Sequence, residues 1–177
     1  MHSIPEFQTL AESKVSKEAY GYYISGSDDE ITLRNNIDAF KSIYINPRVL
    51  VDMSHLSMKT KLLGESVDLP FGIAPFALQK ILHPKGEILT SSEAFRRKTA
   101  FGLSMLTTTR PKEVSEANPT GLKILQLYFM KNAEYTLSII RMAENLGFKA
   151  LAITVDTQAF GKRRRDEKNV FSPKVTL

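Results

Sequence analysis

Residues 122–157 read LKILQLYFMKNAEYTLSIIRMAENLGFKALAITVDT. Two apolar runs of strand length, "LKILQLYF" (122–129) and "ALAITV" (150–155), flank a helical stretch. Across Ala133–Leu146, the residues Leu137, Ile140, Ala143 and Leu146 recur on one stripe, and Gly147 closes the element. A strand, a helix and a second strand at this spacing predict parallel strands joined by a helical crossover. The runs are near-continuous rather than alternating, which predicts a sheet buried on both faces.

The same grammar extends toward the N-terminus. "FGIAPF" (71–76) and "LSML" (103–106) have the length and apolarity of two earlier strands, with helices expected over Glu87–Ala100 and Lys112–Ala117. Before them, "TKLLGESVDLPFG" reads as a small hairpin turning near Gly64. Phe7, Leu10, Ala11, Val15, Ala19 and Tyr22 predict one helix over Ile4–Ser25, stopped by Gly26. A second helix is expected over Asp28–Phe40, capped by Asp28, with Ile31 packing back on Ile24. The resulting division is a helical and extended lead-in over 1–60, a hairpin over 61–70 and the first sheet units over 71–177. From the residues alone, an open doubly wound sheet and a (β/α)8 barrel both remain open. No G-x-G-x-x-G turn follows any strand, which weakens a dinucleotide site, and a complete barrel needs about 250 residues.

Composition narrows the chemistry. The chain has 177 residues, 42% of them hydrophobic, enough for a cooperative core. It has no cysteine, which excludes disulfides, thiolate catalysis and Cys-ligated metal. His2, His55 and His83 lack ligand spacing, so no metal site is expected. No apolar run approaches the roughly 18–20 residues of a membrane helix, and the N-terminus has no basic region followed by an apolar one, so a secretory signal is not expected. The net charge of +5 is mild and fits a small anionic substrate. The densest positive cluster is "GKRRRDEKN" (161–169), directly after the last strand. A nucleic-acid surface would need a broader stripe or an aromatic platform, so neither a nucleic-acid nor a membrane partner is expected.

In parallel α/β folds, ligands bind at the carboxyl edge of the sheet. The residues near that edge are Pro75, Phe76 and Ala77, then Thr107 and Thr108, then Gln126 and Tyr128, then Thr154 and Asp156. Alternation puts Gln126 with Tyr128, and Thr154 with Asp156, on common faces. Gln and Thr both donate and accept, which suits a planar polar heterocycle. The competing reading is that such side chains only satisfy loop backbone. There is no Ser–His–Asp set and no carboxylate pair, so an organic cofactor would have to carry any chemistry.

Several long motifs then agree in order. "YGYYISGSDDEITLRNNIDAF", "PRVLVDMSHLSMKTKLLG", "LPFGIAPFALQKILHPKGE", "LQLYFMKN" and "GFKALAITVDTQAFGKRRRDEKNVF" resemble the FMN-dependent 2-hydroxy acid oxidases and dehydrogenases, the glycolate oxidase-like family, over nearly the whole chain. The resemblance implies a (β/α)8 barrel, here the N-terminal helical segment plus about the first four β/α units. It implies FMN as cofactor and oxidation of a small 2-hydroxy acid to the 2-oxo acid, with oxygen or another acceptor reoxidising the flavin. By motif, Pro75, Phe76, Ala77, Thr107, Gln126 and Thr154 are the expected flavin contacts. Tyr22, Tyr128 and Arg163 are the expected substrate contacts, with Tyr128 assisting catalysis near the substrate hydroxyl. A guanidinium matches a carboxylate, so Arg163 gives the basic cluster a purpose. Lys162, Arg164 and Arg165 are expected to face solvent or the neighbouring acids Asp166 and Glu167.

The pattern also implies parts without counterparts here. The family's catalytic histidine, a second substrate arginine, a flavin-contacting lysine and the phosphate-binding residues come later in its sequences. His55 and His83 are poor substitutes. "LTTTRPKEV" lacks the aromatic that shapes the family's pocket, and Phe76 stands where a smaller residue is usual. The expectation is a truncated portion of the enzyme, active when completed by a C-terminal half. The alternative is an inactive fragment or isoform that associates with a full-length homologue. The resemblance further implies a homo-oligomer in the complete protein and an intracellular setting, peroxisomal in some members; the final "VTL" is not an SKL-type address.

Overall fold

A computed structural model describes residues 2–157, 159 and 161–169. The described residues form two compact units. One is the chain up to His55 together with the segment from Ala159; the other runs from Leu56 to residue 157.

In the first unit, α1 (Ile4–Lys14) starts with Pro5 in its first turn, where the missing N–H costs nothing. The single helix expected over 4–25 is two helices. Val15 and Ser16 leave helical geometry, and the Ser16 hydroxyl accepts the Ala19 N–H to start α2 (Lys17–Ile24). The next helix, α3, spans Ile31–Asp38 and is followed by a 3-10 turn over Ala39–Ser42. Asp28 is not its cap: Asp28 and Glu30 both adopt positive φ, and Ile31 is exposed rather than stapled to Ile24.

The second unit begins with the expected hairpin. β1 (Thr60–Leu62) and β2 (Glu65–Val67) pair antiparallel, with Leu63 and Gly64 both at positive φ in the two-residue turn. Four parallel strands follow in the order β3 (Gly72–Ile73), β4 (Ala100–Leu103), β5 (Lys123–Leu127) and β6 (Ala150–Ile153). The crossovers are α4 (Glu87–Arg96), α5 (Pro111–Ala117) and α6 (Ala133–Asn145). β4 lies earlier than "LSML", at "AFGL", because Ala100 and Phe101 register with Gly72 and Ile73. Thr107 and Thr108 therefore belong to the loop after β4, not to its end.

Alternation divides the sheet into two faces. Phe101, Leu103 and Leu125 pack with Ala94 of α4, Val114 of α5, Ala143 of α6 and Phe148, forming the main core. The opposite face carries small residues, Ala100, Gly102, Ala150 and Ala152, with Ile124 and Gln126. The hairpin closes the amino end of that face, where Val67 packs on Ala100 and Leu122. Gly102 has a specific reason to lack a side chain: a Cβ there would lie 2.7 Å from Pro75 Cδ and 2.9 Å from Pro75 N. The backbone after β3 thus lies directly against β4. At the other end, Lys123 is buried, and its ammonium donates to Asn118 O (2.6 Å) and Pro119 O (3.2 Å). It holds the loop before β5, on the edge of the sheet remote from Gln126.

Among the described residues no helix is long and apolar enough to cross a membrane.

Candidate functional site

Gln126 is the hub of the carboxyl edge. It is 8% exposed, and its amide ties three strands together. Its Oε1 accepts from the Met105 N–H (3.0 Å) and the Ser104 hydroxyl (3.3 Å), both just after β4. Its Nε2 donates to the Thr154 hydroxyl (2.8 Å), just after β6. Two donors on one side and an acceptor on the other fix which way the amide points. Tyr128 comes directly after this strand, half-buried, with its backbone N–H directed at Met105 Sδ (3.5 Å).

The segment after β3 and the loop after β4 lie side by side. Leu78 N–H donates to Leu106 O (3.1 Å), and Lys80 N–H to the Thr108 hydroxyl (3.0 Å). Pro75 and Phe76 are exposed, Phe76 by 42%, and the Phe76 carbonyl accepts from Gln79 Nε2 (3.2 Å). The Thr107 hydroxyl donates to Thr109 O (2.9 Å) and accepts the Thr109 N–H (3.2 Å). For Thr107, the backbone-satisfying role is therefore present as built. His83 is exposed, and its Nδ1 accepts the Lys85 N–H (3.2 Å).

Sequence reading missed Glu87, the first residue of α4. It is 0% exposed. Its Oε1 accepts from Gln79 N–H (3.2 Å), Thr108 N–H (2.9 Å) and the Thr108 hydroxyl (3.0 Å). Its Oε2 accepts from the Thr108 (2.8 Å) and Thr109 (2.7 Å) hydroxyls. Burial pushes the carboxyl up, but the Thr108 N–H and the Thr109 hydroxyl outweigh it, so the pKa falls below its ordinary value of 4.5. The unfolded chain then binds the proton more readily than the folded one. Glu87's stabilising contribution is complete above about pH 4.5 and is lost as pH falls through its lower folded value. Acid unfolding followed by circular dichroism is expected to show a shallower acid limb in Glu87→Gln. The only sequence signal for this residue was an acid at a helix start, with a run of three threonines following a helix and a strand later.

The other unit holds two of the three expected substrate contacts, and they touch. The Arg163 guanidinium stacks over the Tyr22 ring, 4.6 Å from its centroid. Its Nη2 donates to Tyr22 O, to Ser25 O (3.1 Å) and to the Ser25 hydroxyl (2.9 Å), the acceptors at the end of α2. Lys162, Arg164 and Arg165 are exposed, and among the described residues Arg164 and Arg165 pair with acids other than those beside them. Arg164 pairs with Asp29 (2.9 Å) and lies 3.7 Å from Asp28, while Arg165 pairs with Glu30 (3.3 Å). The Lys162 carbonyl accepts the Asp28 N–H (2.8 Å), and α7 (Arg164–Asn169) follows. The cluster is thus the partner of the acidic turn between α2 and α3.

Parallel strands with helical crossovers, and polar side chains gathered at their carboxyl edge, fit a partial (β/α) barrel, and the solved relatives below decide for the barrel over an open sheet. The chain belongs to the FMN-dependent dehydrogenase family, whose model matches residues 11–177. It is 41% identical to glycolate oxidase 1 of Zea mays over 177 residues, covering 99% of this chain and 48% of that protein. Glycolate oxidase of Spinacia oleracea is 40% identical over the same 177 residues. A mandelate oxidase variant solved with (S)-mandelic acid superposes with a TM-score of 0.93 at 26% identity, covering 98% of this chain and 52% of that one. A flavocytochrome b2 variant with sulfite bound gives 0.91 at 33% identity, covering 99% and 47%. The chain spans about half the length of the curated relatives it matches. FMN is the cofactor of this family.

Proposed function

We propose that this chain supplies the cofactor-ring half of an FMN-dependent oxidase that converts a small 2-hydroxy acid to the 2-oxo acid, with oxygen as electron acceptor, when joined to a second half like that of its relatives. The observation that carries the proposal is the Ser104–Gln126–Thr154 network across three strand ends.

The donor set fits a flavin. The pyrimidine edge of the ring alternates carbonyl and N–H groups. Gln126 has a second amide hydrogen beyond the one given to Thr154, and Thr154, having accepted, has its own hydrogen to give. Thr107 keeps a lone pair beside its two contacts with Thr109. Pro75, Phe76 and Ala77 would hold the ring through backbone, in a segment pressed onto Gly102. Bound there, FMN would supply the two-electron acceptor for the hydrogen on C2 of the hydroxy acid. The Tyr128 hydroxyl would orient the substrate hydroxyl, and Tyr22 and Arg163 would hold the carboxylate.

Arg163 sets a condition on this role. A bidentate grip uses Nη2 whether the carboxylate approaches side-on or end-on, and three acceptors crowd the two Nη2 hydrogens here. Substrate must displace at least one of them. Arg163→Lys, which has no planar fork, is expected to raise KM about tenfold or more, the value of one lost charged hydrogen bond, with a smaller change in kcat. An unchanged KM would remove Arg163 from the substrate site.

The whole proposal is tested by joining this chain to the C-terminal half of the maize glycolate oxidase, loading FMN and adding glycolate or mandelate without air. The flavin absorbance should bleach and return on admitting oxygen. Bound flavin that no 2-hydroxy acid bleaches would contradict the reading. A chain that takes up no flavin yet co-purifies with a full-length homologue would mark the alternative, a partner without turnover.

A further inference from the structure

The two loops proposed above to hold the flavin meet on one buried carboxylate. From Glu87, one path runs through the Gln79 N–H and then from Gln79 Nε2 to the Phe76 carbonyl. A second path runs through the Thr109 hydroxyl, and the Thr109 backbone in turn holds the Thr107 hydroxyl. A third runs through the Thr108 N–H toward Leu106, whose own N–H donates to Ser104, the hydroxyl that donates to Gln126. Thr90 adds a brace from α4, its hydroxyl donating to Gln79 Oε1 (2.8 Å).

We infer that Glu87 is a positioning residue: it fixes the Pro75–Ala77 segment against the Thr107 loop, so that both present their flavin-facing groups at one spacing. It touches neither cofactor nor substrate in this role. The inference rests on the proposed flavin reading for its purpose, but not for its geometry. A carboxylate has the right chemistry because it is acceptor-only and the groups around it are all donors. Four separate groups converge on it: two backbone N–H groups and two hydroxyls. A glutamine there keeps one oxygen, now uncharged, for the two N–H groups, and its NH2 obliges the Thr108 and Thr109 hydroxyls to turn and accept. Its α4 neighbour Ser91 makes a different kind of contact, donating to Val114 O (3.1 Å) in the core and reaching neither loop.

The test uses Glu87→Gln, with Thr109→Val as the variant that removes one arm while keeping the carboxylate. Ser91→Ala is the control that weakens α4 without touching the loops. Amide hydrogen exchange is measured across the chain, and riboflavin affinity is read from quenching of flavin fluorescence. In Glu87→Gln, exchange at Gln79 and Thr108 is expected to rise about tenfold or more, while strand amides of Leu103 and Leu125 keep their protection. Flavin affinity is expected to fall by a similar factor, and Thr109→Val to show a smaller change of the same kind. Ser91→Ala is expected to leave both readouts near wild type after matching for melting temperature. Unchanged exchange in the two loops, or an equal loss of flavin affinity in Ser91→Ala, would overturn the inference. If wild type takes up no riboflavin, the flavin reading fails by itself, and the exchange arm still decides whether Glu87 holds the loops.

Discussion

Phe101→Ala is expected to lower the stability of the sheet unit by about 3–5 kcal/mol, the range for truncating a large buried aromatic. Phe101 is 0% exposed and sits on β4 between Ile73 and Lys123, in the cluster that joins the sheet to α4, α5 and α6. Its removal leaves a cavity walled by strands and helices that cannot all close on it. A domain of ordinary stability has only about 5–15 kcal/mol in total, so this variant should be near unfolding at room temperature. Denaturant titration followed by circular dichroism checks it. Phe71→Ala, at an exposed site, is the comparison and should shift stability by only about 0.5 kcal/mol. Equal losses in the two variants would mean that the helix-facing side of the sheet is not the core.

Gln126→Leu should have the largest effect on cofactor binding. Leucine stops short of the amide oxygen and nitrogen and offers no polar atom. The Met105 N–H and the Ser104 and Thr154 hydroxyls would each lose a partner in a mostly buried place. One unpaired buried group costs about 1–3 kcal/mol, so stability should fall measurably even without flavin. With flavin, the three strand ends lose their common tie, and affinity should drop about tenfold or more. Thr107→Val should do less, because Thr107 spends its hydroxyl on its own loop. A Thr107 effect larger than the Gln126 effect would move the centre of the site to the loop after β4.

Much of the fold was legible where periodicity is local. The hairpin at Gly64 and α6 came directly from residue pattern, with α6 ending within a residue of its expected stop. β4 was read three residues late because Leu103, Met105 and Leu106 look more strand-like than Ala100 and Gly102. Pairing with Gly72 and packing against Pro75 favour the small residues, and neither constraint is local. The expected strand over 71–76 shortened to Gly72–Ile73, and Pro75, which has no N–H to pair, lies beyond it. The break at Val15–Ser16 carries no proline or glycine to announce it. The basic cluster was half legible: Lys162, Arg164 and Arg165 are exposed as expected, but Asp166 and Glu167 only adjoin the arginines in sequence, while Asp28, Asp29 and Glu30 meet them in space. Glu87 escaped notice because its ligands lie 8 to 22 residues away. At the carboxyl edge, Gln126 and Thr154 share a bond that alternation only allowed, and Tyr22 and Arg163 meet although 141 residues separate them.

The central claim is that the carboxyl edge of this sheet, through Gln126 and Thr154 with the Pro75–Ala77 backbone, holds a flavin ring. The most direct measurement is the visible spectrum of riboflavin and of FMN as each is titrated with the chain and with its Gln126→Leu variant. The account predicts a saturable spectral shift for both flavins, of similar affinity because the contacts are to the ring and not the phosphate, and much weaker in Gln126→Leu. A spectrum that stays unchanged with either flavin, or a shift that Gln126→Leu leaves intact, would contradict it.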